Sequence, residues 1–461
     1  MLRQLNVGGE VQEKAARLKS STLFYYSVTE MPVMMGFFPA LVFIPRFYTS
    51  DVGVPLALVG TYILIARIVD VVTDPLMGYI SDRYPTRWGK RKPWVLLSAP
   101  VMMLAIYMLF MPPEGAGGTH MLFWMLVLGL GQTMVIITYW SWGAELSTDY
   151  NERSRITGWR AQAGIVGNFA TQFIPITAAA FFAFSTDTRS VLELVGITII
   201  ILMPICILTT VSKVPEPVRP PQERVRVMDG LKLMFTNGPF LRLVIAFMIG
   251  YIGLNITTPL YLFFVADVLG AEDKTPYILS IYMLTGFLSV PFWVWLSTKI
   301  SKHRAYVAAY ALIACAHPFY LLLGPGDIWW MIPVTVVTGF ASGGFSQMLP
   351  NAMKADVIDY DTLRTGENRA ALFFSAWSFA QKSTASLGAA IAMFGLALLG
   401  FNAEPGAVNG PDELFGLRFL FSAFPSIFFL GGALIIWNFP ITPERQAEIR
   451  AQIEANASRA A

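Results

Sequence analysis

Twelve apolar runs, each long enough to cross a bilayer, recur along this chain and leave room for few folds. They lie near residues 22–48, 55–80, 93–112, 120–147, 157–184, 190–212, 239–266, 273–298, 304–324, 327–353, 367–400 and 413–439. Within hydrocarbon every backbone N–H and C=O needs a partner from the protein itself, so a continuous apolar run of this length reads as a helix. The composition agrees. Of 461 residues, 55% are hydrophobic and only 14% charged, more apolar surface than a soluble domain of this size can bury. The expected class is an all-α membrane protein of twelve transmembrane helices. The series breaks once, between Lys213 and Gly238, where VPEPVRPPQERVR is rich in Pro and Arg. That break predicts two six-helix bundles, 1–212 and 239–440, a linker over 213–238, and a tail over 441–461.

Charge placement orients the helices. Arg83, Arg87, Lys90, Arg91 and Lys92 follow the second run, Arg153 and Arg155 the fourth, Lys213 to Arg226 the sixth, and Lys299, Lys302 and Arg304 the eighth. The alternate loops, such as PPEGAGGT and NAEPGAVNGPDE, carry almost no basic residues. The positive-inside rule therefore places both termini in the cytoplasm of a multi-pass inner-membrane protein. The polar start, up to Lys19, has no cleavage site, and no signal peptide is expected. Cys206 and Cys315 both lie in apolar runs, where packing is expected and a disulfide framework is not. His120, His303 and His317 show no metal-enzyme spacing. No nucleophile–base–orienter set stands out, so an enzyme is not expected. Nothing points to a nucleic acid or an organic cofactor. The bilayer is the expected surrounding, and a monomer the expected functional unit.

The stretch RIVDVVTDPLMGYISDRYPTRWGKRK, Arg67 to Lys92, carries the chemistry. Asp70 and Asp74 stand one helical turn apart, about 6 Å of rise, on one face of a membrane helix. A carboxylate at that depth costs several kcal/mol unless it meets a cavity or a partner. Two such acids repel, so positive charge is expected between them. Arg67, three residues earlier, supplies part; a bound cation or a proton would supply the rest.

Gly78-Tyr-Ile-Ser-Asp82-Arg83 and the basic run after it look like the signature loop of the major facilitator fold. The pieces ARIVDVVTDPLMG, RWGKRKPW and ADVIDYDTLRTGENR, with the Lys382 region, are more specific. On them the chain resembles the glycoside–pentoside–hexuronide cation symporters, the melibiose-carrier branch of that superfamily. The resemblance implies two bundles rocking around a midplane site. It assigns Asp70, Asp74 and Thr133 to the coupling cation, Na⁺ or Li⁺ on hard oxygens, or H⁺. It places Trp140, Arg160 and Lys382 at the sugar. Lys382 stands about 22 Å along its helix from Glu367, too deep to snorkel out. Two sugar-gripping carboxylates of the family fall here on Met34 and Ile136, and a tryptophan falls on Gln347. Glu30, one turn before Met34, matches an acid seen elsewhere in the family. Trp377 is a further candidate lining residue.

These readings give a site whose cation half is kept and whose sugar half is rebuilt. With two acids gone, and with Asp70 and Asp74 partly neutralised once the cation is bound, Arg160 and Lys382 are expected to face little negative charge and to favour an anionic solute such as a uronide. Asp356, Asp359, Asp361, Arg364 and Arg369 are expected to form a gating cluster with the basic loop after the second run. The expected function is a cation-coupled symporter of a glycoside, uronide or other anionic solute. The alternative is a cation-dependent carrier of lysophospholipid-like lipids, whose acyl chain would suit Met34 and Ile136.

Overall fold

The computed structural model describes residues 17–83, 86–147, 150–217, 235–366, 369–404 and 407–460. The first span, α1, is broken into Ser20–Ser27, Glu30–Val42, Ile44–Arg46 and a π-turn, Phe47–Asp51. Its two parts meet at 46° beside Phe43. Pro39 and Pro45 account for the break, since each removes an N–H from the helical ladder. Five helices follow: α2 (Leu56–Arg83), α3 (Lys92–Phe110), α4 (Gly118–Glu145), α5 (Tyr150–Phe182) and α6 (Thr188–Lys213). The second half opens with α7 (Gly238–Phe263, continued by a π-turn to Val268). Next come α8 (Thr275–Ile300) and α9 (Lys302–Ala316, with a 3₁₀ end to Leu322). The tenth, α10, runs as Ile328–Gly343, a π-turn over Gly344–Met348, and Leu349–Thr365. Then come α11 (Ala370–Leu398), α12 (Pro411–Phe421 and Ala423–Ile436) and α13 (Pro443–Ala460).

Ten helical segments among the described residues are long and apolar enough to cross a membrane, and bent α1 is an eleventh. The 29-residue α11 packs between α2 and α7 and completes two sets of six. Three elements differ from the sequence reading. Helix α10 runs on to Thr365 rather than ending at 353, because Leu349, Met353 and Val357 keep an apolar stripe on the core beneath the polar ADVIDYD face. Gly366, at φ 71°, then stops it. Helix α5 begins at Tyr150, seven residues before the expected 157. The tail coils into α13, whose Ile449 packs into the core. Most of the segment 213–238 lies outside the described residues.

Within the first half α1 packs on α5, α2 on α4, and α3 on α4 and α6. Within the second, α7 packs on α11 and α12, α8 on α10, and α9 on α12. Glycines permit the closest approach: a Cβ at Gly343 would stand 2.1 Å from Ser289 Oγ and 2.2 Å from the Gly286 carbonyl. The halves meet along α2–α11, α5–α8 and α1–α7. One apolar core fills the first half and continues into the ends of α7, α11 and α12 around Ile256, Phe263, Met393 and Leu420. A second core, around Phe247, Tyr310, Phe345 and Phe429, belongs to the second half alone.

The polar ties repeat this asymmetry. At the joined end Arg46 pairs with Asp267 and stands 4.0 Å from Glu272. Glu272 accepts from the Thr188 N–H at 3.1 Å and hydroxyl at 2.6 Å, and Thr186 donates to the Asp273 carbonyl at 2.7 Å. At the end carrying the basic loops, the described bonds stay within each half. Arg91 pairs with Glu145 at 2.6 Å, and Glu216 accepts from the backbone N–H groups of Lys90 and Arg91, each at 2.5 Å. Gly89, at φ 117°, lets this carboxylate in; a Cβ there would stand 2.1 Å from Glu216 Oε2. Among the described residues, polar ties join the two halves at one membrane face and not at the other.

Candidate cation and substrate site

Midway along the α2–α11 seam, three helices bring charge together. Asp74 on α2 accepts a hydrogen bond from the Thr133 hydroxyl on α4 at 2.8 Å. Its other oxygen takes the Lys382 ammonium from α11 in a short contact. Asp70, one turn away, pairs with Arg67 at 2.8 Å and is nearly buried. Gly129 on α4 makes room for it, since a Cβ there would stand 2.9 Å from Asp70 Oδ1. A cavity of about 60 Å³, lined by Arg67, Asp70 and Gln132 among apolar side chains of α1, α2 and α4, opens beside this acid. Two carboxylates and a hydroxyl are a hard-oxygen donor set, the kind that suits an alkali cation. The Lys382 ammonium stands against Asp74 as such a cation would.

A second ionic cluster lies within the first half. Glu30 on α1 is 5% exposed. It accepts from Trp140 Nε1 on α4 at 3.2 Å and faces Arg160 Nε on α5 at 3.9 Å. The Arg160 guanidinium lies over the Trp140 ring, 4.2 Å from its centroid. Gly164 brings α5 against both Glu30 and Met34, with a Cβ there meeting them at 3.3 and 3.2 Å. Met34 and Ile136 are partly buried against the same core. Beneath the cluster, Tyr26 and Tyr139 stack at 4.5 Å and each donates its hydroxyl to the other's carbonyl, at 3.0 and 2.6 Å.

Two sequence expectations need correction. Arg160 does not face a wall short of negative charge, since Glu30 stands 3.9 Å from it and a buried cation is costly unless paired; Lys382, with no cation present, stands against Asp74. In the described bonds the acids of α10 pair within the second half rather than with the basic loop after α2. Asp356 takes Lys302 at 2.7 Å and Asp361 takes Arg369 at 2.7 Å. Asp359 accepts from Gln446 at 2.8 Å and faces Arg450 at 3.4 Å, both on α13, and Arg364 donates to the Thr236 carbonyl at 3.5 Å. Lys302, Arg369 and Arg450 all belong to the second half, so these acids find their bases there. Trp377 is buried with its ring 4.3 Å from that of Phe247. Gln347 falls in the π-turn of α10, and its side chain is outside the described part.

Sequence reasoning missed Lys354, which is 4% exposed on α10. Its Nζ donates to Asn351 Oδ1 at 2.9 Å and stands 4.4 and 4.8 Å from the Phe374 and Trp377 ring centroids. The signal was a lysine directly preceding ADVIDY, one position beyond the expected end of the tenth run at 353. The Arg46–Asp267 tie was also missed. Its signal was a base and an acid at the same end of the first span of each half.

Comparison with known proteins places this geometry in context. A family model described as MFS/sugar transport protein matches residues 25–443. The glucuronide carrier protein homolog of Escherichia coli (strain K12) is 26% identical over 454 residues, covering 95% of this chain and 96% of that one. The sodium-dependent lysophosphatidylcholine symporter 1 of Gallus gallus is 25% identical over 453 residues, covering 89% and 84%. Among solved structures, a bacterial homolog of the human lysosomal transporter Spinster, inward-facing and unoccupied, superposes with a TM-score of 0.63. It is 11% identical and covers 94% of this chain and 98% of that one, a likeness of fold.

Proposed function

The chain belongs to the MFS/sugar transport protein family, in its glycoside–pentoside–hexuronide:cation branch, and from that premise we propose how it works. It is a cation-coupled symporter. A small organic solute, a glycoside or a uronide, enters with a monovalent cation held by Asp70, Asp74 and Thr133. The observation that carries this is the Thr133–Asp74–Lys382 cluster, because it spans the seam between the halves. A cation entering it displaces the Lys382 ammonium from Asp74. That changes the force between α2 and α11, and it frees a base beside the solute. Solute affinity then rises with cation occupancy, and by linkage cation affinity rises equally with solute. Glu30, Trp140 and Arg160 form the wall that a sugar ring and its hydroxyls meet, with Met34 and Ile136 alongside. With basic loops inside, the face that carries them is the cytoplasmic one of an inner-membrane protein whose termini are both cytoplasmic. The monomer carries the whole path.

The test is a thermal-shift screen of the purified protein against glycosides, uronides and lysolipids, with and without Na⁺ and across pH. Stabilisation by a sugar that grows with Na⁺ or H⁺ is expected; a sugar response independent of both sinks the coupling. One observation favours the lipid alternative. The cavity between α5, α8 and α10 is walled by Ile165, Phe169, Met283 and Phe287, apolar enough for an acyl chain. Cation-dependent stabilisation by lysophosphatidylcholine alone would select it.

A further inference from the structure

We propose that Lys354 is the charge-selecting residue of the solute site, the base that receives an anionic oxygen group of the transported molecule. This deepens the symporter reading and rests on it. The pairing pattern supports it. Arg67 has Asp70, Lys382 has Asp74 and Arg160 has Glu30. Lys354 has no carboxylate within ion-pair distance among the described residues, although it is 4% exposed. Asp356, two positions on, is taken by Lys302 through both oxygens. What surrounds the ammonium is neutral: one amide oxygen and two aromatic faces. An ammonium has three N–H donors, and a single acceptor uses one. Aromatic faces hold a cation in waiting without neutralising it.

The hydrogen-bond partner of the ammonium lines open space. Asn351, that partner, lines the cavity of about 350 Å³ between α5, α8 and α10, together with Asn168 of α5 and Ser346 of α10. Phe374, the ring on its other side, is 56% exposed. A lysine side chain has four methylene groups, so rotation past Asn351 carries the ammonium into the cavity. A carboxylate or phosphate there would complete the pairing that the protein leaves undone. The π-turn just before this segment loosens the α10 backbone at that level.

The test uses full-length purified protein and two matched ligand pairs. One is methyl β-D-glucuronide against methyl β-D-glucoside; the other is lysophosphatidic acid against monoacylglycerol. The proposal expects wild type to prefer the anionic member of one pair at least tenfold, and the pair that responds identifies the source of the anion. Lys354→Met is expected to lower affinity for that anion more than tenfold and for its neutral partner less than twofold, while Lys354→Arg retains the preference. Equal binding within both pairs by wild type overturns the proposal with no variant needed. Equal loss of both members in Lys354→Met overturns it too, as the mark of a packing role. The Na⁺ response of wild type is read separately: its absence sinks the symporter reading and leaves the charge comparison standing.

Discussion

The two ionic clusters of the membrane interior are made of the same parts, a carboxylate, a base and a third donor, yet they join different things. Asp74 ties α2 and α4 of the first half to α11 of the second, through Thr133 and Lys382. Glu30 ties α1, α4 and α5, all in the first half, through Trp140 and Arg160. Charge gained or lost at the first cluster alters the attraction between the moving halves. Charge altered at the second reshapes a pocket wall within one half. A transporter needs both kinds of site, and the difference says which should act on conformation and which on recognition.

Asp74→Asn tests this division most severely. The variant removes the anion that both a cation and Lys382 seek. The cation-dependent rise in stability, about 2.7 kcal/mol at a hundredfold excess over the dissociation constant, is expected to vanish while the protein still inserts and folds. An unchanged Na⁺ or pH response in thermal unfolding would sink the assignment of this acid to the cation.

Arg160→Ala addresses the other cluster. It leaves Glu30, 5% exposed, with only the Trp140 N–H, and stability is expected to drop by about 3 kcal/mol. Adding Glu30→Gln should recover most of that loss, because the buried charge goes with its partner. The Na⁺ response should survive in both variants. A double variant no more stable than Arg160→Ala would show that the two side chains are not a pair.

How much of this was legible beforehand follows from how local each signal is. The helices could be read because an apolar run of spanning length needs no partner to be recognised. The α2 acids could be read because carboxylates in such a run demand an explanation. Two helical spacings, 67–70 and 70–74, then placed them with Arg67. Partner choice was not legible. Whether Lys382 faces Asp74 or a solute depends on how α2 meets α11, 308 positions apart in the chain. The same holds for Asp356, whose partner Lys302 lies on another helix, 54 positions away in the chain. Lys354 was overlooked for a related reason: its aromatic neighbours, Phe374 and Trp377, lie on the next helix.

Asp70→Asn should be milder than Asp74→Asn. Asp70 pairs with Arg67 three residues away on its own helix and makes no described bond across the seam. Its loss should weaken cation affinity and leave the Lys382–Asp74 tie in place. Equal abolition by the two variants would mean that both acids, not Asp74 alone, control the seam.

The smallest effect expected is at Thr133, and it discriminates between cations. Valine is close to threonine in shape but lacks the hydroxyl that donates to Asp74 at 2.8 Å. Losing one such bond costs about 1 kcal/mol, roughly a fivefold change in an equilibrium constant. For Na⁺ the hydroxyl oxygen is also a ligand, so Thr133→Val should weaken the Na⁺ response by at least that factor. A proton needs only the carboxylate, so a pH response should persist. Thr133→Ser keeps the oxygen and should keep both responses. The measurement is the midpoint of thermal stabilisation against Na⁺ at fixed pH and against pH without Na⁺. A Thr133→Val protein with an undiminished Na⁺ midpoint would remove Thr133 from the cation's ligands and leave Asp74 to act through Lys382 alone.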